Sequence, residues 1–200
     1  MSHSLLLAFI VFAVVTLYTP GPNNVMLLTS GLNFGFRRTV PHIAGVCIGF
    51  AIMVAAMGAG LGVVFTTWPV LQTVLKYVGA AYLLYLAIAI ARAAPQDVDS
   101  AAQGQPMTFT GAALFQWVNI KGWVIAVSTI TAYAGIASHP WNIAVQSLLV
   151  LVIGLTSAVA WAAFGTSLRV LIKSPRAGRV FNIAMAALLV ASLYPVLAEP

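Results

Sequence analysis

Charge is what this chain most lacks. Of its 200 residues only 6% are Asp, Glu, Lys or Arg, and three of those are acids: Asp97, Asp99 and Glu199. A soluble domain carries about 25% charged residues because it needs a wetted surface. This chain cannot make one, which excludes a water-soluble globule. None of the three acids falls in an apolar run, so a buried carboxylate pair is excluded as well. The histidines, His3, His42 and His139, do not lie deep in such runs, and with a single cysteine they offer no metal-ligand spacing. That cysteine, Cys47, permits no intramolecular disulfide and reads as a small buried apolar residue. No phosphate-binding glycine loop or nucleotide fingerprint appears, so neither a metal nor a cofactor is expected. A membrane-embedded hydrolase needs a nucleophile with its base, a carboxylate pair or a metal, and the sequence supplies none of them. The protein is not expected to be an enzyme.

What the chain has instead is apolar sequence: 62% of it is hydrophobic, with a mean hydropathy of +1.01. Apolar runs cover about 4–34, 40–66, 70–91, 109–136, 142–168 and 180–198, judged against the roughly 20 residues that a spanning helix needs. They predict an all-α membrane protein of six transmembrane helices, a single domain over residues 1–200. The first run is expected to be retained rather than cleaved. Met1-Ser2-His3-Ser4 carries no Lys or Arg, and no small-x-small site follows.

Basic residues sort by connection. Arg37 and Arg38 lie between the first two runs, Arg92 follows the third, and Arg169, Lys173, Arg176 and Arg179 lie between the last two. The alternate connections, near 67–70 and 137–141, hold no Lys or Arg but carry Trp68 and Trp141, which suit a membrane interface. Lys76, one to two turns into the third run, can snorkel to that side. Because Lys and Arg are retained in the cytoplasm, both termini are expected outside it. The net charge of +6 then reads as topology within a lipid bilayer and not as a nucleic-acid patch. Three spans on each side of a polar linker at 93–108 make half-repeats of about 1–92 and 109–200 that cross in opposite directions. Such a 3+3 inverted repeat is a common transporter plan, with the binding site between the halves.

Two interruptions fall inside apolar runs. The first is TPGPNN at 19–24. At 1.5 Å per residue Pro20 lies roughly 24 Å along its run, still within a hydrocarbon core of about 30 Å. Two prolines remove two backbone donors and Gly21 permits a sharp bend, so helix one should break at Pro20–Pro22. A broken backbone is tolerated in lipid only where protein or a wet cavity receives it. Past the break, Pro22 can open a new half-helix whose free N–H groups near Asn23 and Asn24 suit an anion, a carboxylate above all. The second interruption is VNIKGW at 118–123. Lys121 lies some twelve residues into its run, where a charge costs about 2.5–3.5 kcal/mol on insertion scales and marks a pathway or a partner. Its options are freed carbonyls, cavity water, deprotonation or a substrate carboxylate. Asn119 shares its cavity only if the helix is distorted there, because positions i and i+2 do not share a face.

TPGPNN at 19–24, followed by Gly31-x-x-x-Gly35-Phe36-Arg37 and Gly45-x-x-x-Gly49, resembles the signature of the LysE/RhtB superfamily of bacterial amino-acid exporters. Asn119-Ile120-Lys121-Gly122 is similar to the Asn-Pro-Lys-Ala element that opens the second half of those proteins. The context of VNIKGW is most similar to the branch that exports cysteine and O-acetylserine. The resemblance implies a six-helix inner-membrane protein that pairs into homodimers and exports small amino acids or their derivatives in exchange for protons. Two departures stand out. Ile120 replaces the usual proline, which makes a break in helix four less secure than in helix one. Phe50 and Ala51 occupy the region where many members carry an Asp. An antiporter without a buried acid must move its proton by Lys121, by His42 near the start of helix two, or by the substrate's own amine.

The binding site expected from these residues comprises Pro20, Gly21, Pro22, Asn23, Asn24, Asn119 and Lys121. Backbone N–H groups at Asn23 and Asn24 with the Lys121 ammonium would hold a carboxylate, and the amide side chains would orient the amine. Lys121 is the expected coupling group. His42 otherwise reads as an interfacial histidine, and Arg37 and Arg38 as topology with a cytoplasmic gate role. A passive small-solute channel or a structural membrane subunit would also tolerate a broken, amide-lined helix. The glycine pairs, Gly58-x-x-x-Gly62 included, read as points of close helix approach.

Overall fold

The computed structural model describes residues 2–93, 105–172 and 174–194. Most of the linker, with Asp97 and Asp99, lies outside the described residues, as do Lys173, Glu199 and the end of the sixth expected span. Helices run in the order α1 (His3–Tyr18), α2 (Pro22–Phe34), α3 (Phe36–Ala56), α4 (Gly62–Thr67), α5 (Pro69–Arg92), α6 (Phe109–Phe115), α7 (Ile120–Ala132), α8 (Trp141–Leu171) and α9 (Pro175–Ala191). No strand interrupts them among the described residues.

Three of the expected spans are helices long and apolar enough to cross a membrane: Phe36–Val64, Val70–Arg92 and Trp141–Leu171. The first of these holds a π-helical turn at Met57–Leu61, where Gly60 adopts φ 114° with no neighbour near its absent side chain. Two further expected spans are helix pairs bent at a short break. α1 and α2 meet at 54°, as the prolines demand; Phe109–Val118 and α7 meet at 71°. Helix four is therefore broken more sharply than helix one, although Ile120 stands in place of a proline. The sixth expected span begins earlier than the apolar run, as α9 of 17 residues. Arg176 and Arg179 are in that helix and not in a connection, and Arg37 and Arg38 lie in the first turn of α3 because Gly35, at φ 78°, alone joins α2 to α3.

Missing side chains decide how the helices pack. α2 lies against α8 so closely that a Cβ on Gly31 would sit 2.1 Å from the Ala162 carbonyl oxygen, and one on Gly165 2.0 Å from that of Leu28. α3 meets α6 the same way, with a Cβ on Gly45 2.3 Å from the Phe109 carbonyl and one on Gly49 2.6 Å from Ala113 Cα. Small residues permit this approach, and with no hydrophobic drive between helices in lipid the resulting van der Waals contact holds them. Of the expected glycine pairs, Gly45 and Gly49 both act so, while Gly35 serves a turn and Gly62 has nothing nearer its Cβ position than the Met57 methyl at 3.5 Å. α3 also packs along α8, and α5 along α9. An apolar cluster around Phe9, Phe50, Met53, Ile125 and Val150 fills the space between α1, α3, α7 and α8.

Gly165→Ala drives a methyl group into the α2 backbone, an overpacking that costs about 1–3 kcal/mol, whereas Gly62→Ala has room. The expected outcome is a lower Tm in detergent for the first and an unchanged one for the second; equal melting would contradict the α2–α8 seam.

Candidate functional site

A helix that stops inside a membrane strands its last carbonyls, and the breaks here are resolved by groups from both halves of the chain. α1 ends at Tyr18. Its Leu17 carbonyl accepts from Asn24 Nδ2 (2.8 Å) and from Ser157 Oγ of α8 (2.9 Å). The Thr19 carbonyl accepts from Asn24 Nδ2 (2.9 Å) and from Lys121 Nζ (2.8 Å), which also donates to the Pro20 carbonyl at 3.3 Å. Of the options open to Lys121, the freed carbonyls are the ones it takes. Gly21 is extended, at φ −177°, a conformation open to any residue. Its requirement is space: a Cβ there would meet Lys121 Cδ at 2.9 Å and Nζ at 3.0 Å.

The second break is built without a proline. Gln116–Val118 tightens into a 3-10 turn, Asn119 is extended at φ −85° and ψ 101°, and α7 starts at Ile120. Trp123 Nε1 donates to the Trp117 carbonyl (2.9 Å), and the Val118 carbonyl reaches α5 at Gly79, where a Cβ would be only 2.1 Å from it. Gln116, fully buried, donates to the Ala112 carbonyl (2.8 Å) and forms a reciprocal amide pair with Asn23 across the two halves, at 2.8 and 3.2 Å.

Between the breaks lies a small, partly open cavity of about 50 Å³. Gly21, Pro22, Asn23, Asn24, Asn119 and Lys121 all line it, so six of the seven expected site residues converge; Pro20 takes part through its carbonyl on Lys121. Both α2 and α7 point their N-termini at this region. The first α2 N–H to find a carbonyl a turn behind is that of Val25, on Gly21 at 2.9 Å, and the first of α7 is that of Trp123, on Asn119 at 3.1 Å. The N–H groups before them are free of the helix ladder and bring two partial positive charges to one place.

The amides divide. Asn23 is engaged by Gln116 and Asn24 by the end of α1, whereas the Oδ1 of Asn119, 3% exposed, has no hydrogen-bond partner. His42 lies elsewhere. It is 1% exposed, with Nδ1 3.0 Å from Ser30 Oγ and Nε2 unpartnered, so it is a core residue and not an interfacial one. Arg38 stacks its guanidinium 5.6 Å from the Phe34 ring at the α2–α3 turn, away from the cavity. Sequence reading missed Gln116, Ser157, Gly154 and Cys47 as site residues; only the amide at 116, so close to the break, carried any signal. Among the described residues no cluster of His, Cys, Asp and Glu could hold a metal.

Asn23→Ala and Gln116→Ala each strand the other's amide in the core, at about 1–3 kcal/mol. The double variant is expected to cost less than the sum by about 0.5–2 kcal/mol, read from unfolding in detergent; strict additivity would contradict the pair.

The sequence profile of the LysE type translocators matches residues 14–192. The chain is similar to the cysteine/O-acetylserine efflux protein of Escherichia coli (strain K12), 32% identical over 195 residues that cover 95% of this chain and 96% of that one. It is similar to the same degree, over the same share of each chain, to the proteins so named in Escherichia coli O9:H4 (strain HS) and Shigella sonnei (strain Ss046). No solved structure matches.

Proposed function

The chain belongs to the LysE type translocator family, and from that premise we propose that it exports small neutral amino acids or their derivatives, of the cysteine and O-acetylserine kind, from the cytoplasm across the bacterial inner membrane by proton antiport. The observation that carries this reading is the convergence of two half-helix N-termini and Lys121 on one cavity that no carboxylate lines among the described residues. Three positive elements without a counter-charge call for an anion. The substrate carboxylate sits at the free N–H groups of α2 and α7, drawn in by Lys121. The substrate ammonium takes the Thr19 and Pro20 carbonyls that Lys121 now holds, together with Asn119 Oδ1, an acceptor whose burial without a partner costs about 1–3 kcal/mol.

Lys121 is the proton carrier in this reading. An incoming ammonium competes with it for the same two carbonyls, and one positive charge replaces the other as Lys121 gives up its proton. His42 is the second candidate, through its free Nε2, and Arg37 and Arg38 stand as a cytoplasmic gate at the start of α3. The six spans form an inverted repeat, read with α9 as the sixth. Exchanging the halves turns the α2–α8 seam into the α3–α6 seam and leaves the α3–α8 and α5–α9 pairings in place, which supports that plan at the level of whole spans. Both termini outside the cytoplasm and a homodimeric assembly complete the proposal.

Efflux from proteoliposomes loaded with labelled cysteine, O-acetylserine, threonine, lysine or leucine, with and without a pH gradient, tests it. Gradient-driven efflux of the small neutral substrates is expected, collapsing with an uncoupler; equilibration indifferent to the gradient would mean a channel. Asn119→Ala removes a hydrogen bond to a charged group, so substrate affinity falls about ten- to a hundredfold. Lys121→Arg still caps the carbonyls but does not deprotonate. It is expected to keep exchange of substrate for substrate and to lose pH-driven efflux, whereas His42→Gln keeps both; pH-driven efflux in Lys121→Arg would remove Lys121 as carrier. Cys47, 4% exposed and reached through the cavity, reports occupancy: its alkylation should slow when substrate is bound.

A further inference from the structure

Glycine inside a helix weakens it and needs a reason. For Gly31, Gly45, Gly49, Gly79 and Gly165 the reason is visible, because a Cβ at each would lie between 2.0 and 2.6 Å from backbone atoms of another segment. Gly154 is different. It sits in the interior of α8, far from either end, and a Cβ there would find nothing closer than Leu17 Cδ1 at 4.0 Å. Its φ is not in the left-handed region either. Neither packing nor backbone conformation accounts for it, yet it lines the cavity between the two breaks.

The neighbours of Gly154 sharpen the point. One turn away on the same face are Val150, Ser157 and Ala158, all cavity-lining, and Leu17 faces them from the end of α1. The Ser157 hydroxyl is turned onto the Leu17 carbonyl at 2.9 Å, which leaves this wall apolar except for the oxygen's lone pairs. Charged side chains are absent from it. The wall also lies on α8, whereas the groups that would hold a carboxylate and an ammonium come from α1, α2 and α7.

We propose that Gly154, with Leu17, Val150 and Ala158, forms the subsite for the substrate's side chain, and that the missing Cβ at 154 sets the longest uncharged side chain the transporter accepts. The inference rests on the export reading and adds the selectivity filter to it. Cationic side chains find no counter-charge at this wall, and burying one unpaired is costly. Short neutral side chains fit the space that residue 154 leaves. Hydrophobic pockets discriminate a single methylene by about ten- to two-hundredfold, so one residue suffices to set the limit.

Competition assays in proteoliposomes test this, with alanine, serine, cysteine, O-acetylserine and leucine as substrates of wild type, Gly154→Ala, Gly154→Val and Val150→Ala. The readout is the transport ratio of the longest accepted substrate to alanine. It is expected to fall about tenfold or more in Gly154→Val, to fall less in Gly154→Ala, and to rise in Val150→Ala. Monodisperse protein with a wild-type Tm identifies folded variants, and Gly154→Ala serves where the valine variant fails to fold. A ratio unmoved in both directions overturns the subsite, as does a wild type confined to alanine. No transport of any amino acid by wild type would instead overturn the export reading itself.

Discussion

Everything at the centre of this protein follows from one constraint: a backbone polar group in hydrocarbon must find a partner within the protein or in a wet cavity. Two of the expected spans are broken, and the breaks are tied to each other across the two halves of the chain. Lys121 at the start of α7 caps the end of α1, and Asn23 at the start of α2 holds Gln116 ahead of the second break. A charge that costs several kcal/mol to insert is thereby placed on carbonyls that would cost as much to leave bare. This mutual completion fixes the two half-helix N-termini toward one cavity, and the site is a by-product of making the breaks tolerable.

The helix-packing glycines position that arrangement. The α2–α8 and α3–α6 contacts are close enough that backbone touches backbone, and close-packed interfaces shift between discrete arrangements more readily than they deform. The half-helices on either side of each break are therefore anchored unequally. α2 and α6 are held by glycine seams, while α1 and α7 meet through side chains, among them the tilted rings of Phe9 and Phe12 against Tyr133 at the end of α7.

How much of this could be read from residues alone differs between the two breaks. Pro20-Gly21-Pro22 announces the first, because proline acts locally through its missing N–H and its ring. The second carries no such signal. Its bend comes from tertiary contacts: the Val118 carbonyl against Gly79, the Trp123 indole on the Trp117 carbonyl, and Gln116 on Asn23. Residues far apart in sequence cooperate in each, so periodicity could not show them, and Ile120 suggested a sounder helix than exists. Lys121 was legible from depth alone, since no intramembrane acid was there to explain it. His42 was misread as interfacial because its nearness to Arg37 and Arg38 in sequence masked its place under α2, against Ser30. Gly154 and Cys47 had no signal at all: a cavity wall is a property of the assembled fold.

The charge arithmetic of the site limits how it can be coupled. Among the described residues no carboxylate lines the cavity and Lys121 is its one ionisable cation, while a zwitterionic substrate brings no net charge. Were Lys121 to follow the substrate's carboxylate, that pairing would favour its protonated form, and proton and substrate would travel together. Antiport needs the opposite: occupancy must expel the proton. In the antiport proposed above, competition for the Thr19 and Pro20 carbonyls supplies it, because two ammonium groups do not share the same two acceptors. The same competition keeps binding weak enough to release the substrate, since every contact it gains on those carbonyls is one that Lys121 gives up. A carrier works between two states of similar free energy, and the exchange of one ammonium for another is a way to make them similar.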